Sequence, residues 1–218
     1  MAIMPSKFPG SQFTSGQIGS QIVTRVRALL NESSASFFSD NQIMEWINNG
    51  CLDIVTKTWC LGSTKDITLL NNILEYDLTT NYITIASVHY YDNGTPKKAL
   101  LRSNPSMFGH VPDPNEPVYW YEFDNKLGIF PIITNAGTQS VKVMLITPPA
   151  VIGLANPLPI PQYFDEAIVK YACSMGLFRD NELQTAQSTM EEYSKTIALY
   201  SSDLISKPPE EFNDPKGK

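Results

Sequence analysis

The sequence predicts an α+β protein: an antiparallel helical bundle built from both chain ends, with an inserted antiparallel β domain and an extended C-terminal tail. Three observations carry this expectation. Apolar residues recur at three- and four-residue steps before residue 61 and again after residue 159, the spacing of a single buried helix face. Between these stretches the chain switches to β-branched and aromatic runs separated by turn signals. The closing "KPPEEFNDPKGK" holds three prolines and a lone aromatic, which cannot build a core. The expected division is an N-terminal arm at 1–13, a bundle from 14–61 and 159–206, a β domain at 62–158 and a tail at 207–218.

The first helix is expected from about Ser15 to Leu30, capped by Thr14 or Ser15. Ile18, Ile22, Val26, Leu29 and Leu30 fall on one side, so Arg25 and Arg27 are expected to point away from it. The second start is more fully specified. Ser39 is the N-cap, Gln42 completes a capping box, and Phe38 faces Ile43 as a hydrophobic staple. Ile43, Trp46, Ile47, Cys51, Ile54 and Val55 then form one stripe running to about Trp59, with Gly50 marking close helix packing. The linking "NESSASFFSD" is short enough for an antiparallel hairpin.

The runs "DITLL", "NYITIASVHYYD", "PVYWYEFD", "KLGIFP" and "QSVKVMLIT" read as strands. Asp92-Asn93-Gly94 and Asp124-Asn125 are the tight turns, because Asn and Gly accept positive φ. The proline-rich stretch 103–117 is too long for a turn and is expected as an exposed irregular loop. In "VYWYEF", alternation puts Trp120 on one face and Tyr119, Tyr121 and Phe123 on the other, and one of these faces is expected to be core.

Pro159 and Pro161 set the start of a third helix to about Asp180, with Phe164, Ile168, Tyr171, Ala172 or Cys173, Met175 and Phe178 as its apolar face. Asn181 with Gln184 resembles a second capping box. Leu183, Ala186, Met190, Tyr193, Ile197, Tyr200 and Leu204 follow as a seam of period 3.5, the pattern of helices packed side by side. It reads as bundle core, with the polar tips of Tyr193 and Tyr200 also suited to a seam between subunits.

The chemistry-bearing motifs point away from catalysis. The chain has neither a phosphate-binding glycine loop nor a nucleophile elbow. Its two histidines, His89 and His110, and its three scattered cysteines, Cys51, Cys60 and Cys173, make no zinc spacing. The cysteines read as reduced, buried small hydrophobes, and His89, within a strand, as structural. The adjacent carboxylates Asp165-Glu166, Glu191-Glu192 and Glu210-Glu211 diverge on a helix and read as solvated faces. Net charge is −6, with charged residues at 17%, so nothing suggests a grip on phosphate backbones. No run approaches the roughly 18 apolar residues of a membrane span, and a soluble, unsecreted protein is expected, without cofactor or metal. The short sequons at Asn31 and Asn93 are then accidental.

The pattern of "IVTRVRALLNE", "FFSDNQIMEWINNGCLDIVTKTWC", a β region with "NYITIASVHYY" and "LGIFPIITNAG", then "PLPIPQYFDEAIVKYACSMGLF" resembles the head-to-tail adaptor proteins of tailed bacteriophages. It is most similar to the tail tubular protein A group of short-tailed phages and more distantly to their head-closure factors, over about residues 18–205. The resemblance implies a structural virion protein at the head-tail junction, made in the bacterial host cytoplasm. It also implies a homo-oligomeric ring, usually of twelve copies, between the portal protein and the tail nozzle protein. Double-stranded DNA would pass through such a ring without specific binding, as a deficit of positive charge allows.

Within that implied assembly the tail is the arm toward the portal, with Phe212 as anchor and Lys207, Pro208 and Pro209 beside it, the prolines limiting the entropy lost on ordering. The implied nozzle-facing β domain gives Phe108 and His110 of the long loop a partner. Two other classes compete. A β-domain module could bind a receptor or carbohydrate through "VYWYEF", and a small hydrolase could have a scattered active site.

Overall fold

The computed structural model describes residues 17–32, 37–104 and 116–204, and it is α+β with four helices and two sheets. The helices are α1 (Gly19–Leu29), α2 (Asp40–Thr58), α3 (Asp165–Arg179) and α4 (Leu183–Leu204), with a 3-10 turn, Gln162–Phe164, leading into α3. The strands are β1 (Gly62–Thr68), β2 (Glu75–Asp77), β3 (Thr84–Asp92), β4 (Thr95–Ala99), β5 (Leu101–Arg102), β6 (Tyr119–Phe123), β7 (Lys126–Phe130) and β8 (Gln139–Ile146). Residues before Gly62 and after Thr147 form one compact unit, and Gly62–Thr147 forms the other.

In the helical unit, α2 starts as its sequence dictates. Ser39 Oγ accepts from the Gln42 N–H at 3.3 Å, while Gln42 Oε1 accepts from the Ser39 N–H at 3.0 Å. Phe38 is buried beside this cap, and its ring meets Trp46 edge-on at 5.1 Å. Gly50 sits where a Cβ would stand 2.9 Å from the Tyr171 ring of α3, the close packing its place in the stripe suggests.

By contrast, α1 begins at Gly19 rather than Ser15, and Thr14 and Ser15 lie outside the described residues. Ile18 is extended and bridges to Pro157, and the first helical N–H groups already have partners. Gly19 donates to Asn156 O at 2.9 Å and Ser20 to Leu154 O at 2.8 Å, so a returning segment distant in sequence caps the helix.

Asn181 is also corrected. Its φ of 63° is left-handed, its N–H bonds Phe178 O at 3.3 Å, and the Glu182 N–H bonds Leu177 O at 3.0 Å. That is a Schellman close to α3 rather than an N-cap for α4, and Asn31 closes α1 in the same way.

Instead of a single apolar face, α3 is buried nearly all round, from Ala167, Ile168 and Val169 to Ala172, Cys173 and Ser174. It packs on α1, α2 and α4, and so its small side chains are all enclosed. Phe178, assigned to the apolar face, is 38% exposed at its end. On α4 the seam holds at Ala186, Tyr193 and Ile197, while Leu183 is exposed.

The β unit stacks two four-stranded sheets, ordered β1-β8-β3-β4 and β2-β7-β6-β5, around one core that includes Trp120, Leu127, Ile129, Val88, Val141 and Val143. Both expected tight turns form, with Asn93 and Gly94 at φ 51° and 70°, and Asp124 and Asn125 at 49° and 58°. The sheets are not wholly antiparallel, because β5 pairs with β6 in parallel, Leu101 opposite Tyr119. Adjacent parallel strands need a crossover of a dozen or more residues, and the stretch after Arg102 is that crossover.

Candidate interaction surfaces

Lys207, Pro208, Pro209, Phe212, Phe108 and His110, the six partner-binding candidates, all lie outside the described residues. The described ends of the long loop are anchored, Ser103 N–H to Trp120 O at 2.9 Å and Lys98 to Glu116 at 2.9 Å.

The titratable groups that remain are built into the fold. His89 shares a 3.1 Å contact with Ser87 on β3, and burial holds it below the usual histidine range. Cys51, Cys60 and Cys173 are buried free thiols, and burial pushes Cys51 to about 12 and Cys173 to about 11. Such thiols stay protonated and are poor nucleophiles. Among the described residues no group of His, Cys, Asp or Glu could hold a metal ion, and no helix is long and apolar enough to cross a membrane.

The carboxylate pairs are only partly solvated faces. Glu166 is exposed and pairs with Arg25, and Glu192 meets Lys170 at 3.2 Å. Asp165, however, is 6% exposed; its Oδ2 accepts from the Gln17 N–H at 3.2 Å and burial pushes its carboxyl up. Glu210 and Glu211 lie outside the described residues.

Arg27, expected to point away from the apolar side of α1, is nonetheless buried. Its Nη1 meets Glu32 Oε2 at 2.8 Å, its Nη2 donates to Phe38 O at 2.8 Å, and its Nε reaches Asp40 Oδ1 at 3.2 Å. Glu32 Oε1 in turn accepts the Phe38 N–H at 2.9 Å. One buried guanidinium therefore ties the end of α1 to the start of α2. Nothing in the local sequence marks it beyond charges at positions 27, 32 and 40.

Tyr193 likewise belongs to the interior of the unit. It is fully buried, donates its hydroxyl hydrogen to Asp53 Oδ2 and meets Tyr171 edge-on at 5.3 Å. The Tyr200 ring packs at a tilt against Tyr163, with centroids 5.2 Å apart.

Several apolar side chains stay exposed. In the helical unit Val151 (87%), Phe37 (67%), Leu199 (64%), Leu183 (60%) and Leu29 (54%) are exposed, and a shallow groove lies between Phe178, Gln187, Met190 and Lys195. In the β unit Leu70 and Ile73 lie in one loop and Ile132 in another, and these loops are joined by the Asn72 N–H bond to Ile133 O at 2.8 Å. This is the end of the sheet opposite the Gly62–Ile146 pair, where the chain enters and leaves. In "VYWYEF" both faces hold a buried ring, Trp120 toward the core and Tyr121 over Gly128, so Phe123 is its exposed aromatic.

Protonated thiols are thus buried in the helical unit, and exposed apolar side chains are dispersed over both units. The family model of the SU10 adaptor proteins matches residues 19–208, and the chain belongs to that family, a family of phage structural adaptors. It is accordingly a virion component that interacts with other phage head and tail proteins. Comparison with curated proteins gives no match.

Proposed function

We propose that this adaptor forms a ring, of twelve copies in the manner of the tail tubular protein A group, between the portal and the tail nozzle. The observation that carries this reading is the family match over 19–208, which runs through both compact units rather than one of them. In this reading the helices from both chain ends make a bundle around the channel, and residues 207–218 are the arm that engages the portal. The β unit faces the nozzle, and double-stranded DNA passes without being held. The excess of acidic residues, 22 against 16 basic, favours release of phosphate over retention. Exposed Phe37, Leu199 and Leu29 are the sort of apolar surface that subunit contacts cover.

The decisive experiment is electron microscopy of particles labelled with an antibody to this chain. Label at the head-tail junction is the expected result. Label at fibre tips would replace the adaptor reading with receptor binding by the β unit.

A further inference from the structure

The first sheet has two edges of different character. On β4 the open edge carries Pro96, Lys97 and Lys98, and its pairing with β3 shifts register at Tyr90/Tyr91. Proline, lysine and irregular register are the devices that keep an edge from recruiting another strand. The other edge, β1, runs for seven residues in regular register with β8 and contains no proline.

The direction of its free backbone groups follows from one hydrogen bond. Leu69 N–H donates to Gln139 O at 3.0 Å, so Ile67, Lys65 and Ser63, each two residues apart, turn their amides and carbonyls toward β8. Gly62, Thr64, Asp66 and Thr68 turn theirs outward. All four are exposed, and among the described residues their backbone groups have no partner. The edge is therefore a row of ready donors and acceptors.

We propose that residues 10–16 of a second copy add to β1 as an extra strand. The chain joins the described structure at Gln17 and Ile18, where Ile18 is already extended, and residues 10–16 lead directly into this point. The seven donor residues, which join Gln17 directly, span up to about 25 Å when fully extended, so the acceptor edge lies within that distance of Gln17. These seven, "GSQFTSG", lack proline and charge and place Phe13 among small polar residues, so every amide can join a ladder. The C-terminal segment is a poorer donor. Pro208, Pro209 and Pro215 interrupt its ladder, and Glu210, Glu211 and Asp214 bring like charge toward Asp66. Because donor and acceptor are different surfaces, the contact is head-to-tail and can close a ring. The proposal goes beyond the adaptor reading and stands without it.

The test is complementation between two full-length variants. Thr14→Pro breaks the donor strand; Thr64→Pro blocks the acceptor edge, where the lost N–H points away from β8. Light scattering should show wild-type chains associating at least tenfold more tightly than either variant alone. An equimolar mixture of the two should recover heterodimers, since each supplies what the other lacks. Hydrogen exchange should show the Thr64, Asp66 and Thr68 amides protected in concentrated wild type and released on dilution, a readout independent of whether Thr64→Pro folds. A wild type that stays monomeric, variants that associate like wild type, or a mixture that does not recover would overturn the proposal. Loss of association in Thr64→Pro but not in Thr14→Pro would instead show β1 pairing with β1. Amide protection that persists on dilution would show the segment folding onto its own chain, and either result overturns it.

Discussion

Tyr193 on α4 donates its hydroxyl hydrogen to Asp53 Oδ2 on α2, and Lys57 Nζ holds the same oxygen at 2.6 Å. Tyr193 is fully buried, so this bond gives its hydroxyl a partner inside the seam. Burial, with the Asp53 carboxylate second, pushes its phenol well above the usual tyrosine range, so it remains a donor across working pH. Tyr193→Phe should cost about 1 to 2 kcal/mol, since Asp53 keeps Lys57 as a partner. Thermal melting should fall by about 2–8 °C for a chain of this size, and an unchanged Tm would show that the bond contributes nothing net.

Arg27→Met leaves Glu32, itself buried, without its cation. A loss of about 3 to 5 kcal/mol is expected in urea unfolding, the usual cost of stranding one member of a buried pair. The double variant Arg27→Met with Glu32→Gln should recover part of it, and the coupling energy from that cycle measures the pair directly.

Asp165 gives a pH dependence of definite sign. Its folded carboxyl is raised above the ordinary 3.8, first by burial, against the lowering effects of the Gln17 N–H and Arg25. A raised folded value means the protonated form favours folding. Its contribution is full below 3.8 and is lost as pH rises through the folded value. Asp165→Asn keeps an acceptor for Gln17 and removes the buried charge. Its Tm should therefore exceed that of the wild type at pH 7, with the difference shrinking toward zero near pH 3. A constant difference across that range would show that titration of this group is not the cause.

Gly128→Val should destabilise the β unit by about 2 kcal/mol or more, because a Cβ at Gly128 would overlap the Tyr121 ring, with its nearest atom at 2.0 Å. Tyr121 is directly opposite Gly128 in the ladder, and its hydroxyl reaches Glu75 at 2.9 Å. Adding Tyr121→Thr should restore most of the loss, and chemical denaturation of the two variants decides it.

Deletion of residues 207–218 should leave Tm unchanged, because the described core lies before this segment, and should weaken capture by the portal. Equal capture by full-length and shortened chains in a pull-down would remove the arm from the adaptor reading.

The legible parts of the fold are those set by neighbours in sequence. Ser39 and Gln42 cap each other across three residues, and Asn93-Gly94 bends by its own φ, so both could be read locally. The start of α1 could not, because its partners are Leu154 and Asn156, far along the chain. The burial of Arg27 is illegible for the same reason: periodicity reports which way a side chain leaves the helix, not that Glu32, Phe38 and Asp40 enclose it. The burial of α3 on all sides depends on three partner helices that no window over its own residues contains. Of the candidate contact residues, the chemistry was legible, but proline-rich segments carry no periodicity from which a position could be derived.

The pairing of Gly62 with Ile146 also bears on how such a chain could have been assembled. The β unit's entry and exit stand one strand spacing apart, about 5 Å, so it leaves and rejoins its host through a gap that a very short linker spans. A module with adjacent ends can be acquired, lost or exchanged with little change in the loop entropy of the host. Diversification of the β unit, in relatives or by grafting, is therefore open to recombination at residues 61 and 148 without redesign of the helices around it.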